Sequence, residues 1–490
     1  SSRLTMRIRN MRKAALFFGI ALAAAGCASS PGYRSSEVPV PKAFRETQDT
    51  AVAIATPPSD TAQLVRWPDL GDTTLTRLIN QLGQANLDVR AAEERVRGAR
   101  AARTEAALDF APTVTFAGSY TRQRVARAAF PGGFSVGTFP DQNIWDAGFD
   151  ASWELDLFGR LRHNVQAQGA FIEVNQEDLR DIQISLTAEL ARAYFDLRGA
   201  QEQLAVASQY ADNQRRSFNL TRERLQAGRG TAFDTERAQA QLSTTLASIP
   251  TLESRVRAAQ YAIGVLVGRP PATVAAELEA PQPLPDFPDI GELSAPDSVI
   301  RRRPDVGAAE RQMAVERALV GAAKADYLPR LSLGGTAGYA ASEFSGLADD
   351  GTFRYAVGPV ITWPALNLGR IKARVDQSSA REREARAQYD ATVLRAMQDV
   401  ETSLVRYRTA RGRMDRLRDA ADASARAAEL ARLRFTGGIA DFLQVLDAER
   451  TQLEAQDQLA QSRTDAATAY AALYKALGGS WPSEGKAVGR

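Results

Sequence analysis

In two segments of the sequence, every second residue is apolar. In residues 147–155 every second residue is apolar: Ala147, Phe149, Ala151, Trp153 and Leu155. Residues 353–363 show the same pattern with Phe353, Tyr355, Val357, Pro359, Ile361 and Trp363. A hydrophobic period of two predicts strands with one apolar and one polar face. A third alternating run at residues 331–339 gives the second strand a hairpin partner.

The sequence therefore predicts two β-hairpins, at residues 112–157 and 329–364, with strands of roughly ten residues. This length and alternation are typical of a transmembrane β-barrel, in which apolar side chains face lipid and polar ones face the lumen. The predicted membrane-facing aromatic residues are Phe149, Trp153, Tyr339, Phe353, Tyr355 and Trp363. The predicted lumen residues are Asp150 and Glu154. The strands alone fit a soluble, half-buried hairpin equally well.

Each predicted β-hairpin is followed by a long stretch without proline. Residues 141–249 and 365–481 contain none, which predicts long helical hairpins at 160–267 and 370–477. Gly228–Gly230 and Gly437–Gly438 are the expected breaks. A helix from Arg160 to Ala227 would be roughly 100 Å long. Helices of this length need lateral partners. A further helix is predicted from Thr73 to Leu108.

These elements form two copies of one plan. Asp88 matches Asp305 at an offset of 217, and Trp153 matches Trp363 at an offset of 210. The difference of seven residues falls in the hairpin loop, where a length change is tolerated. The sequence predicts a first repeat at 71–280, a second at 281–478 and a C-terminal tail at 479–490. The predicted fold class is a mixed α+β membrane protein built from a duplicated unit.

The N-terminal segment has the pattern of an export signal. Residues 1–26 contain five basic and no acidic side chains, and the basic side chains precede an apolar run. Residues 1–5 lie upstream of the signal proper. Cys27 follows Ala25 and Gly26, as in a lipobox, so Cys27 is predicted to carry palmitate and to anchor a linker at 27–70. The alternative is a simple cleaved signal with an incidental thiol.

Removal of the signal also changes the charge. The remaining chain has 56 basic residues, which is 61 minus 5, against 58 acidic residues, a formal charge of about −2 instead of +3. This balance removes the compositional support for a nucleic-acid partner. No catalytic motif, cofactor site or metal cluster is evident, and His163 has no second histidine or cysteine near it in the sequence. The sequence predicts no enzyme.

Four strands per chain are too few to close a barrel. Open sheet edges are not tolerated in lipid, and the smallest membrane barrels have about eight strands. A membrane-spanning chain of this kind must therefore be at least a dimer, and a homotrimer would supply twelve strands.

Several phrases resemble a known family: "RRRPDV" at 301–306, "FTGGIADFLQVLDAER" at 435–450 and "LYKALGGSW" at 473–481. Together with the lipobox and the duplication, they resemble outer-membrane factors of Gram-negative bacteria, the NodT/OprM-type efflux lipoproteins of the TolC superfamily. The resemblance implies a trimeric, 12-stranded transmembrane β-barrel continued by a periplasmic α-helical barrel. It also implies a tripartite pump with a periplasmic adaptor and an inner-membrane RND-type transporter, which exports drugs and other small toxic compounds.

The resemblance further implies a periplasmic gate at the helical tips, with Leu443 as a hydrophobic ring and Asp447 as a carboxylate ring bound by Arg450. Asp441, Asp234 and Arg434 are additional candidates from the same tips. Glu449 and Phe435 depart from the Gln and Tyr expected of the family. Charged residues on an ordinary exposed turn are the alternative at this site. For the whole chain, the alternatives are a type I protein-secretion duct and a lipid-anchored periplasmic coiled-coil scaffold.

Overall fold

The computed structural model describes residues 38–48, 67–124, 141–288 and 295–479 of the chain. The predicted signal, the predicted lipidation site Cys27 and nearly all of the predicted tail lie outside the described residues, as does the segment 125–140 between the first two strands. The strands are β1 (Thr113–Gln123), β2 (Gln142–Leu155), β3 (Arg330–Ala341) and β4 (Phe353–Thr362).

Ten helices lie in the described ranges. They are α1 (Arg45–Gln48), α2 (Thr73–Ala85), α3 (Leu87–Leu108), α4 (Arg160–Gln226), α5 (Ala232–Leu266), α6 (Pro271–Glu277), α7 (Pro296–Arg302), α8 (Pro304–Ala325), α9 (Leu368–Thr436) and α10 (Phe442–Ala476). Two short 3-10 helices cover Trp67–Leu70 and Phe344–Gly346. None of the described helices carries an apolar stretch that would cross a bilayer.

The chain divides into two compact units. The described part of the first unit is Arg97–Val174 with Glu310–Gln388, and it contains all four strands. The strands form one antiparallel sheet in the order β1-β2-β3-β4. Each copy of the sequence plan therefore supplies one hairpin of the same sheet.

The register of the sheet separates its two faces. Phe149 lies opposite Phe116 on β1 and Ala337 on β3, whereas its neighbour Asp150 lies opposite Thr115 and Thr336. Directly opposed residues project from the same face, and successive residues project from opposite faces. The aromatic side chains on the apolar face are well exposed in the single chain: Phe116, Tyr120, Phe149, Trp153, Tyr339, Phe353 and Tyr355.

Two facing glycines bring β2 and β3 unusually close. Gly148 is paired with Gly338, and a Cβ built on Gly148 would lie 2.7 Å from the carbonyl oxygen of Ala337. A Cβ on Gly338 would lie 2.5 Å from the carbonyl oxygen of Ala147. Glycine inside a strand is expected where another backbone approaches this closely.

The repeated tryptophan has the same role in both copies. The indole Nε1 of Trp153 donates to the carbonyl oxygen of Phe110 at 2.7 Å. Likewise, Nε1 of Trp363 donates to the carbonyl oxygen of Tyr327 at 3.1 Å. Each bond connects the end of a β-hairpin with the loop that enters it. The duplication thus includes a specific tertiary hydrogen bond.

The junction between β2 and α4 is stabilised by carboxylates. Arg160 donates two hydrogen bonds to the Glu154 carboxylate, from Nε at 2.9 Å and from Nη2 at 2.7 Å. Asp156 accepts from the backbone N–H groups of Leu161 and Arg162, at 3.0 and 3.1 Å. Acceptance of these otherwise unpaired N–H groups stabilises a helix start. Gly159 provides the left-handed turn with φ of 82°.

In the described part of the second unit, residues 38–48, 67–96, 175–288, 295–309 and 389–479, all regular elements are helices. Its main core is rich in aromatic side chains that are almost fully buried: Trp67, Tyr194, Phe195, Tyr407, Tyr470 and Tyr474. The Trp67 and Tyr474 ring centroids are 4.6 Å apart. Burial of such large apolar surfaces is the main stabilising contribution to a helical core.

The predicted single helix from Thr73 to Leu108 is wrong, because Asn86 divides it into α2 and α3. The Asn86 side chain accepts from the backbone N–H of Asp88 at 2.8 Å and that of Val89 at 3.0 Å. Its amide nitrogen donates to the carbonyl oxygen of Leu266 at 2.8 Å. A buried asparagine thus caps α3 and bonds to the end of α5, a tertiary partner that local helix propensity does not include.

Candidate functional site

The tip of the second helical hairpin ends α9 with a glycine turn. The backbone N–H of Ile439 donates to the carbonyl oxygen of Arg434 at 2.9 Å, and Gly438 has φ of 76°. Asp441 then caps α10, because its carboxylate accepts from the backbone N–H of Gln444 at 3.1 Å. A left-handed glycine followed by an acidic N-cap is a favourable way to join two antiparallel helices.

The tip of the first hairpin is built in the same way, 210 residues earlier. The N–H of Arg229 donates to the carbonyl oxygen of Arg224 at 2.8 Å, and Gly228 has φ of 67°. Thr231 caps α5 by accepting from the N–H of Asp234 at 3.2 Å, and its hydroxyl donates to the Asp234 carboxylate at 2.7 Å. Asp234 is thus part of a helix cap.

The structure brings two of the predicted gate residues together. A guanidinium nitrogen of Arg450 lies 3.0 Å from a carboxylate oxygen of Asp447, one turn apart on α10. The Asp447 side chain is 72% exposed and that of Arg450 57% exposed. Leu443 lies one turn before Asp447 and is partly buried. An exposed pair of this kind contributes little to stability, so its importance would lie in its charge and its position.

An apolar cluster lies directly behind the tips. Phe435, Phe442, Val445, Leu446 and Ala238 are buried against one another, with Phe218 and Ala431 packed at their edge. The guanidinium of Arg224 lies over the Phe435 ring, 4.6 Å from its centroid. Arg224 belongs to the first hairpin and Phe435 to the second. At this position, where the family resemblance led us to expect Tyr, Phe therefore contacts the other hairpin through a cation–π interaction and not through a hydroxyl.

Sequence reasoning missed an ion pair next to the predicted gate, in which the carboxylate is buried and the guanidinium side chain is 40% exposed. Nε of Arg432 donates to an oxygen of Glu449 at 2.8 Å, and the Glu449 side chain is 2% exposed. Both residues are visible in the sequence as charges near the turn. Only the length and geometry of the turn place them face to face, 17 residues apart. The replacement of the expected Gln by Glu449 was the one available signal.

The predicted lumen residues differ in their surroundings. Asp150 is exposed on the polar sheet face, opposite Thr115 and Thr336. Glu154 is largely buried, where it binds Arg160. Asp146 lies four residues before Asp150 on the same face of β2. It binds Arg354 on β4, with oxygen–nitrogen distances of 2.8 and 2.5 Å. Because β3 carries Gly338 opposite Arg354, this side chain can cross the strand between them.

The described elements define a class of protein: a duplicated unit of β-hairpin and long helical hairpin, with an exposed apolar sheet face, is typical of a channel-forming subunit of the outer membrane. The outer membrane efflux protein family matches residues 78–269 and 295–479, and the chain belongs to this family.

Individual relatives agree along nearly the whole length. The chain is 30% identical to outer membrane protein OprJ of Pseudomonas aeruginosa, over 96% of each chain. It is also 30% identical to the toluene efflux pump outer membrane protein TtgC of Pseudomonas putida, over 93% of each chain. The solved outer-membrane channel OprN matches with a TM-score of 0.82 and 35% identity, covering 93% of this chain and 100% of that one.

Family membership confirms four predictions from the sequence. The chain is an outer membrane efflux protein, has the duplicated fold of that family, is located in the outer membrane of a Gram-negative bacterium, and is not an enzyme.

Proposed function

We propose that three copies of this chain form a 12-stranded barrel in the outer membrane, continued by a periplasmic α-helical barrel. This duct passively conducts small toxic compounds that an inner-membrane RND-type transporter delivers through a periplasmic adaptor. A lipid on Cys27 would anchor each chain in the membrane.

The observation that carries this proposal is the four-stranded sheet. Within the described residues, β1 and β4 each have only one neighbouring strand. Lipid offers no hydrogen-bond partners to the free edges, so the edges must pair with other copies. The exposed aromatic side chains on one face, and Asp146, Asp150 and Thr336 on the other, are the division expected between lipid and a water-filled lumen.

The substrate class is supported by the relatives. TtgC is described as part of a toluene efflux pump, and toluene is a small apolar compound. The adaptor is supported by the exposed apolar side chains at both hairpin tips: Ile439 is 73% exposed and Phe233 60% exposed. Apolar residues that remain exposed at the tip of a long helical hairpin are suited to contact with a partner protein.

Two adjacent residues on opposite sheet faces test the membrane part. Phe149→Lys places a charge on the proposed lipid face, where the midplane cost is about 2–4 kcal/mol per chain. Asp150→Lys places the same charge on the proposed lumen face. We expect Phe149→Lys to abolish heat-modifiable trimers in the outer-membrane fraction, and Asp150→Lys to keep them. Equal amounts of trimer from both variants would contradict the assignment of the faces.

The gate is tested by conductance. We propose that Asp447 and Arg450 restrict the tip, with Leu443 as an apolar ring beside them. Asp447→Ala and Arg450→Ala should each raise single-channel conductance in planar bilayers. The control is Asp415→Ala, because Asp415 forms an ion pair of the same spacing with Arg418, at 3.3 Å, far from the tip on α9. Conductance unchanged in both gate variants would remove these residues from the gate.

A further inference from the structure

The ion pair between the partly exposed Arg432 and the buried Glu449 lies behind the proposed gate. Arg432 is on α9 and Glu449 on α10, so the pair connects the two helices of the second hairpin just above its turn. A carboxylate that is 2% exposed is costly unless it is paired, and removal of one partner from such a pair is strongly destabilising. The position of Arg432 therefore restricts where the Glu449 side chain of α10 can point.

The restriction extends to the gate residues through helix geometry. Successive residues of an α-helix are rotated by about 100° around its axis. Asp447 and Arg450 share one face, and Glu449 projects from a different one. With Glu449 fixed toward α9, the side chains of Asp447 and Arg450 must point outward, as they do. A rotation of α10 that moved Asp447 would have to displace Glu449 from Arg432.

Three buried polar atoms near this pair have no hydrogen-bond partner among the described residues. They are Oε2 of Glu449, Nη2 of Arg432 and the hydroxyl of Tyr210 on α4. Tyr210 is 2% exposed, and the charges of both Arg432 and Glu449 act on it. Its burial raises its pKa to about 12.

A second such group lies one turn further along α4. Both amide atoms of Gln214 lack a partner in the described part of the chain, and the residue is 1% exposed. Buried donors and acceptors are normally paired, and an unpaired group destabilises the folded state. Among the described residues, α4 thus carries two buried polar side chains without a hydrogen-bond partner, and the charges of Arg432 and Glu449 act on one of them, Tyr210.

We propose that Arg432, Glu449 and Tyr210 form a positioning joint for the gate: the ion pair sets the rotation of α10, and the Tyr210 hydroxyl offers Glu449 a second partner when α10 turns. This inference rests on the proposed gate at Asp447 and Arg450. These three residues act through Asp447 and Arg450 and do not themselves contact the transported compound. The joint allows α10 two orientations in which the buried carboxylate remains paired.

The first test replaces the pair without leaving a buried charge. Arg432→Met with Glu449→Leu keeps similar volumes, and such apolar replacements of buried ion pairs preserve folding in known cases. We expect trimers of normal amount with higher single-channel conductance. Glu449→Gln keeps the acceptor for Arg432 and should conduct like the original protein. A double variant with normal trimers and unchanged conductance would overturn the proposal.

A second readout separates the joint from the gate. A cysteine introduced as Asp447→Cys reports the orientation of α10 by its rate of reaction with a polar thiol reagent, and this readout does not depend on conductance. We expect the double replacement to change this rate at least about threefold, which corresponds to less than 1 kcal/mol. Tyr210→Phe should change the rate in the same direction but less. An unchanged rate in both variants would contradict the joint even if Asp447 proves to be a gate residue.

The matched control is another ion pair between helices. Glu202 on α4 and Arg463 on α10 lie 2.5 Å apart, away from the tips. Glu202→Leu with Arg463→Met removes this pair in the same chemical manner. We expect neither the conductance nor the labelling rate of Cys at position 447 to change. If the control changed both as strongly as the tip replacement, the effect would be a general loss of packing, and the specific joint would be rejected.

Discussion

A close approach of two long helices in the second unit leads to a specific prediction. A Cβ built on Gly199 of α4 would lie 1.9 Å from Oγ1 of Thr464 on α10, and 2.9 Å from its Cβ and Cγ2. Comfortable contacts between such atoms are about 3.5 Å or longer. Rotation of the threonine cannot remove the clash, because its Cβ is itself too close. We therefore predict that Gly199→Ala forces α4 and α10 apart.

The magnitude follows from two opposing effects. Extra methyl groups in a packed core cost about 1–3 kcal/mol, and the rigidity of two long helices favours the upper part of this range. Alanine is favoured over glycine inside a helix by about 1 kcal/mol. Gly412→Ala in α9 is the control, because a Cβ there meets nothing within 4 Å and only the helix preference applies. The difference between the two variants therefore isolates the steric cost.

The assay is the apparent melting temperature of the purified protein by circular dichroism, at one scan rate because large proteins often unfold irreversibly. Gly199→Ala should melt several degrees below Gly412→Ala. Addition of Thr464→Ala removes Oγ1 and Cγ2 but leaves Cβ, so it should restore part of the loss. A Gly199→Ala protein as stable as the Gly412→Ala control would refute the argument from close approach.

Three further outcomes are expected. Trp153→Phe and Trp363→Phe each lose one indole hydrogen bond. Each should therefore reduce the free energy of unfolding by about 0.5–1.5 kcal/mol and lower the melting temperature slightly. An effect in only one variant would show that the copies are not equivalent. Gly338→Val should reduce the yield of folded protein from the membrane more than Gly358→Val, because only Gly338 faces backbone within 3 Å. Burial, followed by the charge of a nearby aspartate, raises the pKa of Asp181. The ionised form of Asp181 is therefore unfavourable in the folded state, so Asp181→Asn should raise the melting temperature at pH 7. This gain should vanish below about pH 4, where the carboxyl is protonated even in the unfolded chain. A gain that persists at low pH would contradict the raised pKa of Asp181.

Much of the architecture could be predicted from local pattern. Alternation over residues 147–155 and 353–363 identified strands that the structure contains, and the absence of proline after Arg160 and Arg370 identified the long helices. These predictions succeed because helix and strand periods are written directly in the order of apolar and polar residues. The predicted helix from Thr73 to Leu108 failed because the Asn86 side chain bonds to Leu266, a residue 180 positions away.

The candidate site was predictable only in part. Asp441 and Asp234 could be placed at helix starts from the glycine turns before them, and the structure shows both in helix caps. The pairing of Asp447 with Arg450 follows from their spacing of three on one helix. The partner Arg432 of Glu449 and the nearby buried Tyr210 could not be found in this way, because they lie on two other helices.

The sequence by itself determined the duplication, the face of each strand and the positions of the helical turns, since all of these depend on neighbours along the chain. Only the tertiary structure decided which helices approach within van der Waals contact at Gly199, which charges are buried at Glu449, and which carbonyl groups bind Trp153 and Trp363. The physical reason is that a helix 67 residues long can pack against its neighbours in many alternative ways. If such a helix slides by one residue or rotates about its axis, its contacts are replaced by others. No local sequence pattern shows which of these packing arrangements has the lower free energy.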